Sequence, residues 1–316
     1  MLSLIIPIFK NEPNLERLLR ELGKLQTQLR EGEFEVVFVV DGSPDRSLEI
    51  LRERAPQVLR QVQIAALSRN FGSFNAIAAG LLLGRGDYLA VLAADLQEPP
   101  ELVLQFHEVM QAGEADVVFG YRLSRRDPLL MNLSSEFFWE VFRRFVVKDM
   151  PKGGVDVFGC SRSVRDRVVQ FREANTNLIV LLLWLGFRRK FIGYVRAPRL
   201  EGDSAWTFAN KLRYAADSIF NFTDLPIRAL IGIGMLGTLV AVLYGSIVLV
   251  GRLMNLIRVQ GYAALALIIL LFGSLTTLGL GLLGQYVWLC LQNVRQRPNY
   301  VVESITVYAD GQRMGL

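Results

Sequence analysis

Short apolar runs and stretches of helical spacing alternate along the first 120 residues. Leu2–Phe9 is an apolar run, and Pro13–Arg30 then carries leucines at 15, 18, 19, 22, 25 and 29, which line one face of a helix. Phe34–Val40 reads as a second strand, closed by the turn residues Asp41-Gly42-Ser43-Pro44. Gln61–Leu67 is a third, followed by Arg69-Asn70-Phe71-Gly72 and a small-residue helix through Gly84. Tyr88–Ala93 and Ala115–Gly120 are the fourth and fifth. Strand–helix alternation predicts an α/β fold with a mostly parallel, Rossmann-like sheet and ligands at the carboxyl ends of its strands. Phe9, Asp41, Arg69 and Asp95 all fall at such ends.

The pattern changes downstream. Leu129–Val147 gathers Phe137, Phe138, Trp139, Phe142 and Phe145 among charged residues, which suits a helix packed on the sheet or one lying in a membrane interface. Lys211–Phe222 is similar and directly precedes a longer apolar stretch, which favours interfacial placement. Ala229–Gly251 and Val259–Val294 contain no charged residue, and each is long enough to cross a hydrocarbon core of ~30 Å. Asn299–Tyr308 alternates as a short strand that could pair with a neighbouring chain, which leaves homo-oligomerisation open. The expected organisation is a soluble-type domain over 1–210 and a juxtamembrane amphipathic helix over 211–228. A two-helix transmembrane hairpin over 229–294 and a cytoplasmic tail over 295–316 with a short strand complete it.

Composition removes several chemistries. Of 316 residues 52 % are hydrophobic and 21 % charged, too apolar for a purely soluble protein and too charged for a multi-span transporter. The single histidine, His107, lies in the helical-looking run Leu102–Met110, and Cys160 and Cys290 are far apart. Zinc sites of Cys/His type and disulfide scaffolds are excluded, and a Ser-His-Asp or Cys-His mechanism would rest on His107 alone. The net charge of +5 admits an anionic partner, yet the arginines are scattered rather than interleaved with aromatics on one stripe. Anionic lipid and phosphorylated substrates are therefore expected, and nucleic acid is not. Met1-Leu2-Ser3-Leu4 has neither a basic leader nor a cleavage site, so the first domain is expected to stay cytoplasmic.

The segment Ala93-Ala94-Asp95-Leu96-Gln97-Glu98-Pro99-Pro100 follows the fourth strand. A carboxylate there, with an amide oxygen two residues on, can share a hard cation with a diphosphate. The same residues also suit a helix start, with Asp95 or Glu98 near the cap before the proline pair. Asp41 could cap a helix or face a nucleoside at the sheet edge, and taken alone it reads as a cap.

Taken together, Leu4-Ile5-Ile6-Pro7-Ile8-Phe9, Val40-Asp41-Gly42-Ser43-Pro44-Asp45, Leu67-Ser68-Arg69-Asn70-Phe71-Gly72 and Ala94-Asp95-Leu96-Gln97 are more specific. In this order and spacing they resemble family-two glycosyltransferases of the dolichol-phosphate-mannose-synthase type. Gly120-Tyr121-Arg122, Gly153-Gly154-Val155-Asp156-Val157-Phe158 and Arg199-Leu200-Glu201-Gly202-Asp203-Ser204-Ala205-Trp206 extend the resemblance over almost the whole chain. With two C-terminal spans, it is similar above all to bacterial polyprenyl-phosphate (bactoprenol) glycosyltransferases.

The resemblance implies a GT-A domain carrying two transmembrane helices, in the bacterial inner membrane with the catalytic domain cytoplasmic. It implies inverting transfer of a sugar from a UDP- or GDP-linked donor to a polyprenyl phosphate. Pro7, Phe9, Glu12, Asp41 and Asp95 would bind the nucleotide sugar, and Asp95 with Gln97 would hold Mg²⁺ or Mn²⁺. Arg122, Arg199, Ser204 and Lys211 would contact phosphate or acceptor. Asp95 and Asp156 are the catalytic candidates, Asp156 as orienter or weak base of the acceptor or as the cap of a turn.

Three departures from the family pattern stand out. Ala93 replaces an acidic residue, Val40 replaces another, and Lys10 shifts the Asn11-Glu12 pair by one position. Ala93 motivates an alternative, a membrane-anchored binding or scaffold protein on a degenerate glycosyltransferase fold. A processive polysaccharide synthase would need a Gln-x-x-Arg-Trp motif and further spans, and the sequence has neither.

Overall fold

Seven consecutive buried residues, Phe34–Val40, form strand β2. A strand covered on both faces belongs at the centre of a parallel sheet. Its neighbours are β1 (Leu2–Ile8), β3 (Gln61–Leu67) and, beyond β1, β4 (Tyr88–Val91). All three pairings are parallel, with Leu2 opposite both Phe34 and Tyr88, and Val36 opposite Val62. The computed structural model describes residues 1–123, 151, 155–171, 177–197, 225–254, 262–295 and 297–314. The aromatic segment 129–147, the juxtamembrane stretch 211–222, and Gly153, Gly154, Arg199, Ser204 and Lys211 lie outside them.

The helices follow the sequence pattern. Helix α1 (Leu15–Thr27) buries Leu15, Leu18, Leu19, Leu22 and Leu25, the stripe expected of its leucine spacing. Helix α2 is Ser47–Val58 and α3 is Ser73–Leu83. In α3 a Cβ on Gly80 would lie 2.3 Å from Cγ2 of Ile5, so only glycine lets this helix sit down on β1. Helix α4 (Glu101–Gln111) starts directly after the proline pair and buries Leu102, Val103, Phe106 and His107.

Around the parallel centre the sheet is mixed. Strand β5 (Val117–Arg122) begins and ends two residues later than its apolar pattern suggested, and β4 stops two residues earlier. Strand β6 (Val155–Ser161) runs antiparallel between β4 and β5, and β7 (Arg189–Tyr194) runs parallel to β5. Between β6 and β7 lie two short helices, α5 (Arg162–Val168) and α6 (Leu178–Trp184). On the opposite edge β8 (Val302–Ala309) pairs antiparallel with β3 of its own chain and turns back as β9 (Gln312–Met314). The tail strand is thus an integral edge of the main sheet. Asp310 and Gly311, at φ 48° and 79°, make the turn between them. Among the described residues the order is β7-β5-β6-β4-β1-β2-β3-β8-β9.

The chain divides into two units, 1–211 with 298–316, and 212–297. The second holds α7 (Leu225–Leu253, 29 residues) and α8 (Tyr262–Arg295, 34 residues). At 1.5 Å per residue, about 20 residues cross the hydrocarbon core, so both helices are long enough. Ile227–Tyr244 and Leu271–Arg295 have mean hydropathies of 1.9 and 1.3. Many of their apolar side chains are exposed among the described residues, for instance Met235 at 70 % and Ile247 at 67 %. A core helix of a soluble protein would bury them, so the two helices are candidates for crossing a membrane.

Candidate active site

Strand polarity alone gathers one group of polar residues. Arg122 ends β5, Tyr194 ends the parallel strand β7, and the two are register partners. Asp156 lies at the beginning of the antiparallel strand β6, where Tyr121 pairs with Val155. The loop after β4 reaches the same edge with Asp95, Gln97 and Glu98.

Within that loop Leu96 adopts φ 52°, a left-handed conformation that costs a branched residue of order 1 kcal/mol or more. The Gln97 backbone N–H donates to Oδ1 of Asp95 at 3.3 Å. Gln97 is then fixed by Ala197, whose N–H donates to the Gln97 carbonyl at 2.8 Å and whose carbonyl accepts from Gln97 Nε2 at 3.4 Å. Gln97 Oε1 accepts from Nη2 of Arg196.

Asp156 is gripped from two sides. Arg122 donates through Nη2 to Oδ1 at 2.6 Å and through Nε to Oδ2, a bidentate pair. Tyr194 donates its hydroxyl to Oδ2 at 2.8 Å. The same hydroxyl is 3.5 Å from Oε1 of Glu98, a carboxyl only 2 % exposed. Burial, then the Asp95 and Asp156 carboxylates, push Glu98 up to about 7, against the pull of Arg196. Burial, then the Asp156 and Glu98 carboxyls, push the Tyr194 phenol well above its ordinary range, so it remains a donor. Glu98 Oε2 and Arg196 Nε are buried and find no hydrogen-bond partner among the described residues.

A second cluster lies at the ends of β1, β2 and β3. Asp41, 3 % exposed, accepts from the backbone N–H of Phe71 at 2.7 Å and of Gly72 at 2.8 Å. Burial raises its carboxyl despite these bonds and the nearby Arg69. Asp41 thus ties the β2 end to the loop that starts α3. Gly42 is at φ 56°, and a Cβ there would lie 2.2 Å from the Arg69 carbonyl carbon. The Arg69 guanidinium stacks 4.1 Å from the Phe71 ring.

Pro7 lies within β1 opposite Val39, and Phe9 just beyond it is 37 % exposed. Lys10, at φ 54°, donates its N–H to Ser43 Oγ at 2.7 Å. Glu12 accepts from the Arg46 N–H at 2.9 Å, while its own N–H donates to Asp45 at 3.0 Å. Glu12 therefore braces the β1 loop against the start of α2.

Of the expected residues, the structure brings Asp95, Gln97, Asp156 and Arg122 together, and Pro7, Phe9, Glu12 and Asp41 along neighbouring strand ends. Sequence reasoning missed Tyr194 and Arg196 and saw Glu98 only as a cap. The apolar run Phe191-Ile192-Gly193-Tyr194-Val195 was the available signal for a strand ending at this edge.

A hard divalent cation suits these donors. Asp95 and Gln97 offer a carboxylate and an amide oxygen, and Glu98 Oε2 is an orphaned buried oxygen beside them. Among the described residues no three His, Cys, Asp or Glu side chains form a metal cage. Such a donor set fits a cation whose shell is completed by substrate phosphates and water.

Residues 3–178 match the sequence model of glycosyl transferase family 2. The chain is 31 % identical over 305 residues to an uncharacterized glycosyltransferase, sll0501, of Synechocystis sp., covering 96 % of this chain and 95 % of that one. It is 32 % identical over 302 residues to the uncharacterized glycosyltransferase YkcC of Bacillus subtilis, covering 95 % and 93 %. It is 29 % identical over 308 residues to a prophage bactoprenol glucosyl transferase homolog of Escherichia coli, covering 96 % and 99 %. A GT-A sheet with its polar residues collected at the strand ends, and a family match across more than half its length, make this chain a glycosyltransferase belonging to glycosyl transferase family 2.

Proposed function

We propose that the protein moves a sugar from a UDP- or GDP-linked donor to a polyprenyl phosphate, with inversion, at the cytoplasmic face of the bacterial inner membrane. The observation that carries this reading is the juxtaposition of the Asp95–Gln97 turn with the Arg122–Asp156 pair at one sheet edge. The bactoprenol glucosyl transferase homolog and the two long apolar helices support the choice of lipid acceptor.

The chemistry needs little from a base. A phosphate monoester has a second pKa of about 6, so its attacking oxygen is anionic at neutral pH. That oxygen forms a bond to C1 of the sugar while the C1–oxygen bond to the nucleoside diphosphate breaks from the opposite face. The obstacle is bringing one anion to another, which positioned cations relieve.

Arg122 is the described cation best held for that task, because Asp156 fixes its fork and Tyr194 fixes Asp156. With its oxygens engaged in this way, Asp156 acts here as an orienter. Asp95 and Gln97 would hold Mg²⁺ or Mn²⁺, which when bound neutralises the departing diphosphate. Asp41 would shape the nucleoside side through the loop it fastens, with Pro7 and Phe9 lining it and Glu12 bracing it. Arg199, Ser204 and Lys211 complete the proposal as contacts for the lipid phosphate. The two helices are read as two crossings that return the tail to the catalytic side.

The test uses the purified full chain in lipid with undecaprenyl phosphate and a panel of labelled nucleotide sugars, with Mg²⁺, Mn²⁺ or EDTA. Label in the lipid with one donor, lost in EDTA, supports the reading and names the sugar. No lipid label with any donor, despite nucleotide binding, would overturn it in favour of a binding protein.

A further inference from the structure

Two arginines approach the carboxylates of the site, and they are held differently. Arg122 makes two hydrogen bonds to one carboxylate. Among the described residues Arg196 makes one, to the amide oxygen of Gln97, and its Nε lies 3.8 Å from Glu98 Oε1, within ion-pair reach but without a hydrogen bond. Glu98 is 2 % exposed, so the oxygen that faces Arg196 Nε lies inside the protein. The bonds between Gln97 and Ala197 fix the amide so that Nε2 is used on the backbone and Oε1 is left towards Arg196.

Gln97 Oε1 is also the oxygen that a divalent cation at Asp95 would take. A guanidinium and a divalent cation on the same amide oxygen repel each other and compete for the same lone pairs. We infer that Arg196 is an internal cation on Gln97 Oε1 that a divalent cation must displace in order to bind there.

This inference rests on the reading of Asp95 and Gln97 as donor-side residues, and it adds an order of events. A metal ion alone competes with Arg196 and binds weakly. A nucleoside diphosphate brings negative charge that draws the guanidinium off Gln97 and supplies oxygens to the metal. Metal and nucleotide then enter together, and Arg196 passes from an amide to a phosphate.

The experiment is a Mn²⁺ titration of the purified full chain by electron paramagnetic resonance of the free ion, with and without saturating UDP or GDP. Arg196→Met is expected to tighten nucleotide-free Mn²⁺ binding by about five- to tenfold and to shrink the gain given by nucleotide by the same factor. In a Gln97→Ala background the effect of Arg196→Met should fall below about twofold, because the contested oxygen is gone. Unchanged or weaker Mn²⁺ binding in Arg196→Met would overturn the inference. So would an equal gain in both backgrounds, which would mean that charge acts through space alone. Should Arg196→Met fail to fold, Arg196→Lys serves, since a compact ammonium lacks the planar fork that sets Nη2 on Gln97 and Nε beside Glu98, and a smaller tightening is expected. Asp95→Ala separates the two levels. If it leaves Mn²⁺ binding intact, the metal reading itself fails, whatever Arg196 does.

Discussion

Tyr194 Oη donates to Asp156 Oδ2 at 2.8 Å, joining the last residue of one strand to the second residue of another. The bond matters because the opposite side of Asp156 carries Arg122. Three residues from β5, β6 and β7 thus form one chain of contacts, and the guanidinium at its end has a fixed direction. Replacing Tyr194 with Phe removes only the hydroxyl. A hydrogen bond to a charged group contributes about 1.5–3 kcal/mol, so Tyr194→Phe should lower kcat by roughly 10- to 100-fold. The donor KM should barely move, because Tyr194 acts through Asp156. Steady-state kinetics with both substrates checks this, and an unchanged kcat would remove Tyr194 from the relay.

Asp156→Asn tests the same relay from its centre. Asparagine keeps the shape but gives Arg122 no charge, and a partly buried guanidinium without its carboxylate is costly. The expected result is a fall in kcat of about 10-fold or more with a lower Tm. The pH–rate profile should keep its shape, since an orienter does not titrate with turnover. Loss of the acidic limb in this variant would instead make Asp156 the base.

Much of this arrangement was legible beforehand, and the reasons are physical. The five apolar runs and the leucine stripe at 15–25 follow from burial, which acts on each residue locally. Asp41, Asp95 and Gln97 stand beside turn-forming residues at strand ends, so their position could be read from neighbours. Tyr194 and Arg196 could not. Their place depends on β6 running antiparallel, which brings Asp156 to the same edge across some 40 residues of sequence. Strand direction is a property of the assembled sheet. The same holds for β8, whose alternation gave a strand but not its partner β3.

His107 provides a pH test away from the site. It is 7 % exposed, its Nδ1 has no hydrogen-bond partner among the described residues, and its ring meets Tyr88 edge-on at 5.2 Å. Burial, then the N-terminal ammonium, holds its pKa below the usual 6.5, against Glu33 and Glu108. For a base with a depressed folded pKa, the unfolded chain binds the proton first. The contribution is full above the unfolded value and is lost as pH falls through it towards the folded value. Tm should therefore drop as pH falls below the ordinary histidine value of 6.5, and His107→Leu should flatten that part of the curve. Identical curves for the two proteins would exclude His107 as the cause.

Asp95→Ala is the direct test of the donor side. The side chain is part of a turn that Leu96 holds at φ 52°, so the loop conformation does not depend on Asp95 alone. Transfer should fall by about 10²- to 10³-fold, the scale on which a lost electrostatic stabiliser acts, while Tm stays within a few degrees. Near-normal turnover would refute its assignment to the donor diphosphate.

The last prediction concerns Gly42, where geometry leaves no room. Its φ of 56° already disfavours a side chain, and an added Cβ would lie 2.2 Å from the Arg69 carbonyl carbon and 2.4 Å from the Asn70 nitrogen. These are backbone atoms, so relief requires the whole 69–72 loop to move away from β2. That loop is also where Asp41 binds the N–H groups of Phe71 and Gly72. Moving it leaves a buried carboxylate short of donors, at about 1–3 kcal/mol for each bond lost. Gly42→Ala should therefore lower Tm and weaken nucleotide binding together, by about 10-fold or more, although residue 42 bears no chemical group. Isothermal titration with UDP and GDP alongside thermal unfolding reads both effects. A variant that loses stability while binding nucleotide normally would detach the 69–72 loop from the donor site and limit Asp41 to a structural tie.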